Sequence, residues 1–134
     1  MGRLPGETPK TRVLVIDDDP EVVDMLGLML RTKGFEVLKA YRGIEGVGVA
    51  RRELPDVVLL DIMMPDIDGY EVYRRLRLEE ETRDIPVIFV SAKGHDEDVR
   101  KGLSCGAQGY ITKPFRAAVL VDKTREVVTP EPPT

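Results

Sequence analysis

Side chains with reactive chemistry stand directly after four short apolar runs of this sequence. Asp17 and Asp18 follow the first run, Asp61 follows the second, Ser91 closes the third, and Lys113 comes just after the fourth. The runs cover residues 13–16, 57–60, 87–90 and 110–112. Carboxylates held close together repel one another and attract a cation, and a hydroxyl and an ammonium group can bind phosphoryl oxygens. These side chains therefore predict a site for a divalent cation and a phosphoryl group, provided that the fold brings them together.

The elements that would position these side chains alternate between strands and helices. Short apolar runs rich in β-branched residues and bounded by turn residues are typical of strands buried on both faces of a parallel sheet. A further strand is expected over 36–40, and helices over about 20–33 and 44–52, after the loop 63–69, and over 96–104 and 116–128. We therefore expect an α/β fold. The expected arrangement is a single doubly wound (βα)5 domain, with a five-stranded parallel sheet of order 2-1-3-4-5 and helices on both faces.

In such a sheet the first and third strands flank the point at which the strand order reverses. Ligands of open parallel sheets bind there, outside the carboxyl ends of the strands. This placement brings Asp17, Asp18 and Asp61 into one pocket. Oxygen ligands without histidine or cysteine select a hard ion, so Mg²⁺ fits better than zinc. Asp61, alone at the end of its strand, is a plausible nucleophile toward phosphorus, with Lys113 and the cation neutralising charge.

Composition favours one globular domain of 134 residues with 42% hydrophobic and 33% charged residues. We expect the domain over 12–128, with a flexible N-terminal tail at 1–11 and a proline-rich tail or linker stub at 129–134. The net charge of -4 and the scattered basic residues argue against direct nucleic-acid binding. The sequence lacks an apolar stretch long enough for a membrane span and an N-terminal secretory segment, which predicts a cytoplasmic protein without membrane insertion. The single Cys105 is expected to be a small buried hydrophobe.

Four motifs in order give the chain a resemblance to a known family. They are Val-Ile-Asp-Asp-Asp-Pro, Leu-Leu-Asp-Ile-Met-Met-Pro-Asp-Ile-Asp-Gly, Phe-Val-Ser-Ala and Gly-Tyr-Ile-Thr-Lys-Pro-Phe. From Arg12 to about Val128 the sequence resembles the receiver domain of two-component response regulators and is similar to the chemotaxis regulators. The resemblance implies a flavodoxin-like fold and a phosphoacceptor signalling switch rather than an enzyme, with only self-phosphorylation and autodephosphorylation chemistry of its own.

The resemblance also implies a role for each site residue. Asp61 matches the phosphoacceptor, Asp18 a direct Mg²⁺ ligand, and Asp17 a residue that holds metal-bound water. The backbone carbonyl of Met63 matches a further ligand, and Mn²⁺ is an alternative ion.

The resemblance implies that the remaining matched residues bind the phosphoryl group or respond to it. Lys113 corresponds to the phosphate-pairing lysine, followed at Pro114 by a position where the family uses a cis peptide bond. Ser91 corresponds to the switch hydroxyl, and Tyr110 to an aromatic residue that turns inward when Ser91 engages the phosphoryl group.

The implied partners are a sensor histidine kinase or a histidine phosphotransfer protein, and a downstream effector. The effector would bind the surface formed by the fourth helix, the fifth strand and the fifth helix. The resemblance also allows a phosphorylation-dependent homodimer.

Three other functions would use the same residues. A Mg²⁺-dependent phosphohydrolase of the haloacid dehalogenase type needs an acid two residues after its aspartate, where this chain has Met63. A nucleotide- or flavin-binding module needs a glycine-rich turn where this chain has three aspartates, residues 17–19, and a proline. A phosphorylation-independent adaptor on the receiver fold remains an alternative. Asp19, Asp66 and Asp68 are expected to be cap and turn residues rather than ligands.

Overall fold

Five parallel strands form one sheet. The computed structural model describes residues 10–128. The strands are β1 (Arg12–Ile16), β2 (Glu36–Ala40), β3 (Val57–Leu60), β4 (Val87–Ser91) and β5 (Gly109–Thr112). Their order across the sheet is β2-β1-β3-β4-β5, and each neighbouring pair runs parallel. The predicted order 2-1-3-4-5 is confirmed.

Helices cover both faces of this sheet. They are α1 (Pro20–Arg31), α2 (Gly43–Glu53), α3 (Gly69–Leu78), α4 (Asp96–Ser104) and α5 (Ala117–Val128). Residues of α1 and α5 share one apolar cluster with Val13 and Val15, whereas residues of α2 and α3 share a second cluster with Leu14 and Ile16. Because successive side chains of a strand point to opposite faces, β1 contributes to both clusters, and so do β3 and β4. The predicted two-sided arrangement is therefore confirmed.

The predicted terminal tails lie largely outside the part of the chain that the structure describes. Residues 1–9 and 129–134 are not described, while Lys10 and Thr11 precede β1. The domain limits of 12–128 therefore stay a prediction. Among residues 10–128, none of the helices has both the length and the apolar character needed to cross a membrane.

Two glycines of α2 differ in what surrounds them. A Cβ on Gly46 would overlap the side chain of Ile16, which is fully buried in β1. A Cβ on Gly48 would meet nothing within 4 Å. Gly46 therefore allows α2 to approach the sheet closely, whereas Gly48 has no comparable packing role.

Helix α4 rests on the sheet through a glycine. Gly102 is its one buried residue, and a Cβ there would lie 2.7 Å from the ring of Tyr110. Cys105 follows the helix, is exposed, and its Sγ donates to the Gly102 carbonyl at 3.0 Å. The prediction of a buried Cys105 is wrong, because Gly102 takes the position facing the sheet and the end of α4 projects into solvent.

Candidate functional site

Asp61 is fixed at the carboxyl edge of the sheet, between β1 and β4. Its N–H donates to the Ile16 carbonyl at 2.9 Å, which extends the pairing of β3 with β1 by one residue. Its carboxylate accepts from the Ile62 N–H at 2.8 Å, and the residue is only 8% exposed. The backbone therefore holds the carboxylate in a defined position at the end of a central strand.

Asp17 and Asp18 follow β1 and come close to Asp61. Asp17 is 2% exposed, and its carboxylate accepts from the Asp19 N–H at 3.0 Å. Asp18 is partly exposed. Each of the three acids offers one oxygen that lies within 4.8 Å of the others. The fold thus brings together the acids that the sequence assigned to one pocket.

The ammonium group of Lys113 lies between two of these acids. Its Nζ is 2.7 Å from Oδ2 of Asp17 and 3.7 Å from Oδ2 of Asp61. The Lys113 N–H donates to the Ser91 carbonyl at 2.9 Å, which continues the pairing of β4 with β5. The Lys113–Pro114 peptide bond is cis, as the resemblance implies.

The pocket makes the ionised form of Asp61 less favourable than in water. Burial raises the pKa of Asp61, and the neighbouring charge of Asp17 raises it further. The charge of Lys113 and the N–H groups of Ile62 and Met63 oppose this increase, but the net direction is upward. A cation placed among the acids would reverse the balance, because it favours the ionised carboxylates.

Ser91 and Tyr110 meet at the backbone of Lys93. Ser91 is 1% exposed and ends β4, and its Oγ accepts from the Lys93 N–H at 3.2 Å. The hydroxyl of Tyr110 donates to the Lys93 carbonyl. The ring of Tyr110 is half-buried, with its centroid 6.1 Å from that of Phe89, and burial raises the pKa of its hydroxyl. A movement of the loop at Lys93 would therefore disturb both side chains.

Met63 lies in the exposed loop that follows Asp61, with 59% of its surface accessible. The loop borders a cleft of about 440 Å³ that is also lined by Asp18, Lys93 and Lys101. The use of the Met63 carbonyl as a ligand stays a prediction.

Three aspartates that were expected to be caps do cap helices. Asp19 accepts from the Glu21 N–H at the start of α1, and Asp68 accepts from the Glu71 N–H at the start of α3. Asp66 caps a helix distant in sequence, α2. The sequence did not predict that the Lys93 backbone contacts Ser91 and Tyr110, or that Asp66 caps α2. A backbone group has no side-chain signal, and a cap from a remote loop has no local spacing.

The donor set fits a hard divalent cation. Asp17, Asp18 and Asp61 form the one cluster of three such metal-binding side chains among the described residues, and all of its donors are oxygen. Carboxylate oxygens suit Mg²⁺ and Mn²⁺, whereas the softer metals prefer nitrogen and sulfur.

The match to known proteins covers nearly the whole described chain. Residues 13–125 match the family model of the response regulator receiver domain. The chain belongs to this family. The protein PilH of Pseudomonas aeruginosa is 42% identical to this receiver domain over 117 residues, covering 87% of this chain and 97% of PilH. The DNA-binding dual master transcriptional regulator RpaA of a Synechocystis strain is 39% identical, covering 87% of this chain and 48% of RpaA.

Solved structures agree with this assignment. The chemotaxis response regulator CheY4 of Vibrio cholerae superposes on the receiver domain with a TM-score of 0.83 at 27% identity, covering 89% of this chain and 99% of that chain. The receiver domain spans about half the length of RpaA. Receiver domains bind Mg²⁺ in their acidic pocket, and the three clustered carboxylates are consistent with that use here.

Proposed function

We propose that this receiver domain is a phosphoacceptor switch of a two-component system. Asp61 accepts a phosphoryl group from a sensor histidine kinase, or from a histidine phosphotransfer protein, in a reaction that depends on Mg²⁺ or Mn²⁺. The main support is the meeting of three carboxylates within 4.8 Å, with the ammonium of Lys113 3.7 Å from Asp61. An attacking carboxylate needs these neutralising groups, because it and the phosphoryl oxygens carry like charge.

The transfer forms one bond and breaks one. An oxygen of Asp61 attacks phosphorus, the bond between phosphorus and the donor histidine nitrogen breaks, and its electron pair returns to the imidazole. Asp18, Asp61 and the Met63 carbonyl would hold the ion, and Asp17 would hold a water of its shell. When bound, Mg²⁺ supplies positive charge to the phosphoryl oxygens.

The switch follows from the groups beside the acceptor. Lys113 pairs with the new phosphoryl oxygens, and the Ser91 hydroxyl donates to another of them. Since the Ser91 Oγ accepts from the Lys93 N–H and the Tyr110 hydroxyl donates to the Lys93 carbonyl in the unmodified protein, both contacts change together. The surface of α4, β5 and α5 is then the part that changes partners, including an effector or a second copy of the domain.

The proposed setting is a cytoplasmic regulator without direct nucleic-acid contact or membrane insertion by this domain. Self-phosphorylation and autodephosphorylation are its only chemistry. The adaptor alternative keeps the fold and drops the phosphorylation, so labelling separates the two. The phosphohydrolase alternative loses support because Met63, with its thioether side chain, occupies the position that needs an acid.

Labelling with radioactive acetyl phosphate tests the acceptor. Wild type should take up acid-labile, hydroxylamine-sensitive label that chelation of Mg²⁺ prevents, because acyl phosphates hydrolyse in acid and react with hydroxylamine. Asp61→Asn should take up none, and Asp122→Asn, an exposed change in α5, should match wild type. Undiminished labelling of Asp61→Asn would remove the acceptor assignment, and absence of label from wild type would favour the adaptor.

Titration of the metal-free protein with Mg²⁺ tests the ion site. Asp18→Ala should bind the ion more weakly, because it loses one carboxylate of the cluster. Equal affinity would remove Asp18 from the site. Sizing with and without beryllofluoride would show whether activation drives dimerisation.

A further inference from the structure

Helix α2 takes its N-terminal cap from the loop that follows Asp61. The carboxylate of Asp66 accepts from the Gly43 N–H at 3.0 Å and from the Ile44 N–H at 2.9 Å. These are among the first N–H groups of α2, which have no acceptor within the helix. Arg42, at the N-cap position itself, makes no side-chain cap hydrogen bond. The loop therefore supplies what the local sequence of α2 does not.

Close packing accompanies these hydrogen bonds. A Cβ on Gly43 would lie 2.5 Å from Cγ1 of Ile67 and 2.9 Å from its carbonyl oxygen, so the loop lies directly against the first turn of α2. At the other end of the loop, the Gly69 N–H donates to the Ile62 carbonyl at 2.7 Å. A Cβ on Gly69 would lie 2.5 Å from the Asp61 carbonyl oxygen. The loop 62–68 is thus fixed where it leaves β3 and joins α3, and Asp66 fixes its middle.

We propose that Asp66 is a positioning residue, which holds the loop 62–68 against α2 and thereby sets the Met63 carbonyl toward the acid pocket. This inference rests on the proposed function, because it assumes that the pocket binds a divalent cation. Ile62 is buried and Met64 and Ile67 are half-buried against the core, but Met63, Pro65, Asp66 and Asp68 are exposed, so packing alone fixes only part of the loop. Two hydrogen bonds that consecutive backbone amides donate to one carboxylate restrict both the place and the orientation of the loop.

The coupling acts in both directions. If Asp66 helps the loop to bind the ion, the bound ion must favour the capped form of α2 by the same factor. The Gly43 and Ile44 amides should therefore respond to Mg²⁺, although neither is a ligand. This makes the first turn of α2 a second element that senses the state of the pocket.

Mg²⁺ titrations followed by amide NMR of the full chain test the proposal. Asp66→Ala should bind Mg²⁺ about 10-fold more weakly than wild type, at the lower end of the effect seen when residues supporting a metal ligand are removed. Asp66→Asn should recover part of that loss, because its single amide oxygen keeps one of the two hydrogen bonds from the start of the helix. In wild type the Gly43 and Ile44 amide signals should shift with Mg²⁺, and in Asp66→Ala these shifts should be lost.

Asp68→Ala is the matched control. It removes one aspartate and one helix cap from the same loop, but Asp68 caps α3, whose start is also held by the Gly69 N–H. Its Mg²⁺ affinity should stay within about 2-fold of wild type, since a lost charge at this exposed position is largely screened.

Each other result has a definite meaning. Wild-type affinity in Asp66→Ala would overturn the inference and leave the proposed function intact. Equal weakening in Asp68→Ala, or no recovery in Asp66→Asn, would assign the effect to loop charge and also overturn the inference. A wild-type protein that binds no Mg²⁺ would overturn both the inference and the proposed function.

Discussion

Removal of the positive charge between the buried acids should destabilise the metal-free protein. Lys113→Ala takes away the ammonium that lies 2.7 Å from Asp17 and 3.7 Å from Asp61. Asp17 and Asp61 are nearly inaccessible to water, and together with Asp18 they keep oxygens within 4.8 Å of one another. Without Lys113 these carboxylates repel each other, and no cation balances them.

The distances set the size of this effect. At an effective dielectric of about 20, opposite charges separated by the 2.7 Å of the Lys113–Asp17 pair attract by roughly 6 kcal/mol. Desolvation offsets much of that attraction, and loss of one partner of a buried pair costs about 3–5 kcal/mol. The Lys113 side chain is 21% exposed, so water weakens the pair. We therefore expect the free energy of unfolding to fall by about 2–3 kcal/mol at neutral pH.

Urea unfolding in EDTA and in Mg²⁺ measures the free energy of unfolding and so tests this prediction. Mg²⁺ at 100 times its dissociation constant adds about 2.7 kcal/mol to the stability of a protein that binds it only when folded. The ion should therefore restore most of the loss in Lys113→Ala. Lys39→Ala is the control, because the Lys39–Asp24 pair is also short, at 2.9 Å, but Asp24 is 66% exposed. That change should cost no more than about 1 kcal/mol. Equal stability of Lys113→Ala and wild type in EDTA would refute the charge-balancing role of Lys113.

Two further predictions concern packing and pH. Gly48→Ala should stabilise the protein by about 0.5–1 kcal/mol because the site is open and helical. Gly46→Ala should destabilise it by about 1–3 kcal/mol because the added methyl group would overlap Ile16. Urea unfolding of both variants measures these changes, and a change of the same sign in both would contradict the packing difference. Hydrogen bonds from Arg74 and Arg75 lower the pKa of Glu71 from 4.5 to about 2. The stability that these ion pairs add is therefore fully present above pH 4.5 and is lost as the pH falls through about 2. In Arg74→Ala the Glu71 pKa, measured by carboxyl NMR titration, should rise toward 4.5, and an unchanged midpoint would count against the pairing.

The sheet and the acid pocket could be predicted from the sequence because both follow from short-range patterns and one topological rule. Continuous apolar runs indicate buried parallel strands, and right-handed crossovers leave few ways to arrange them. The residue after each strand then falls at the same edge, which is why Asp17, Asp61 and Lys113 meet.

The features that sequence reasoning missed depend on how distant segments lie against each other. Cys105 stands among small apolar residues, yet which side of α4 faces the sheet is decided by the fit of Gly102 against the Tyr110 ring. Asp66 lies 23 and 22 positions from the Gly43 and Ile44 amides that it caps, so no short-range sequence pattern predicts this contact. Such contacts become visible only after the loop and the helix are placed in space.

The sparse attachment of α4 has a consequence for its behaviour in solution. Gly102 is the one buried residue of this helix, so opening it exposes little apolar surface and costs little free energy. Segments of that kind open locally far more often than the whole domain unfolds, and their amide hydrogens exchange early. We expect the amides of α4 to exchange with deuterium well before those of β1 and β3. A helix so easily released is one whose position a single new group at the end of β3 could reset.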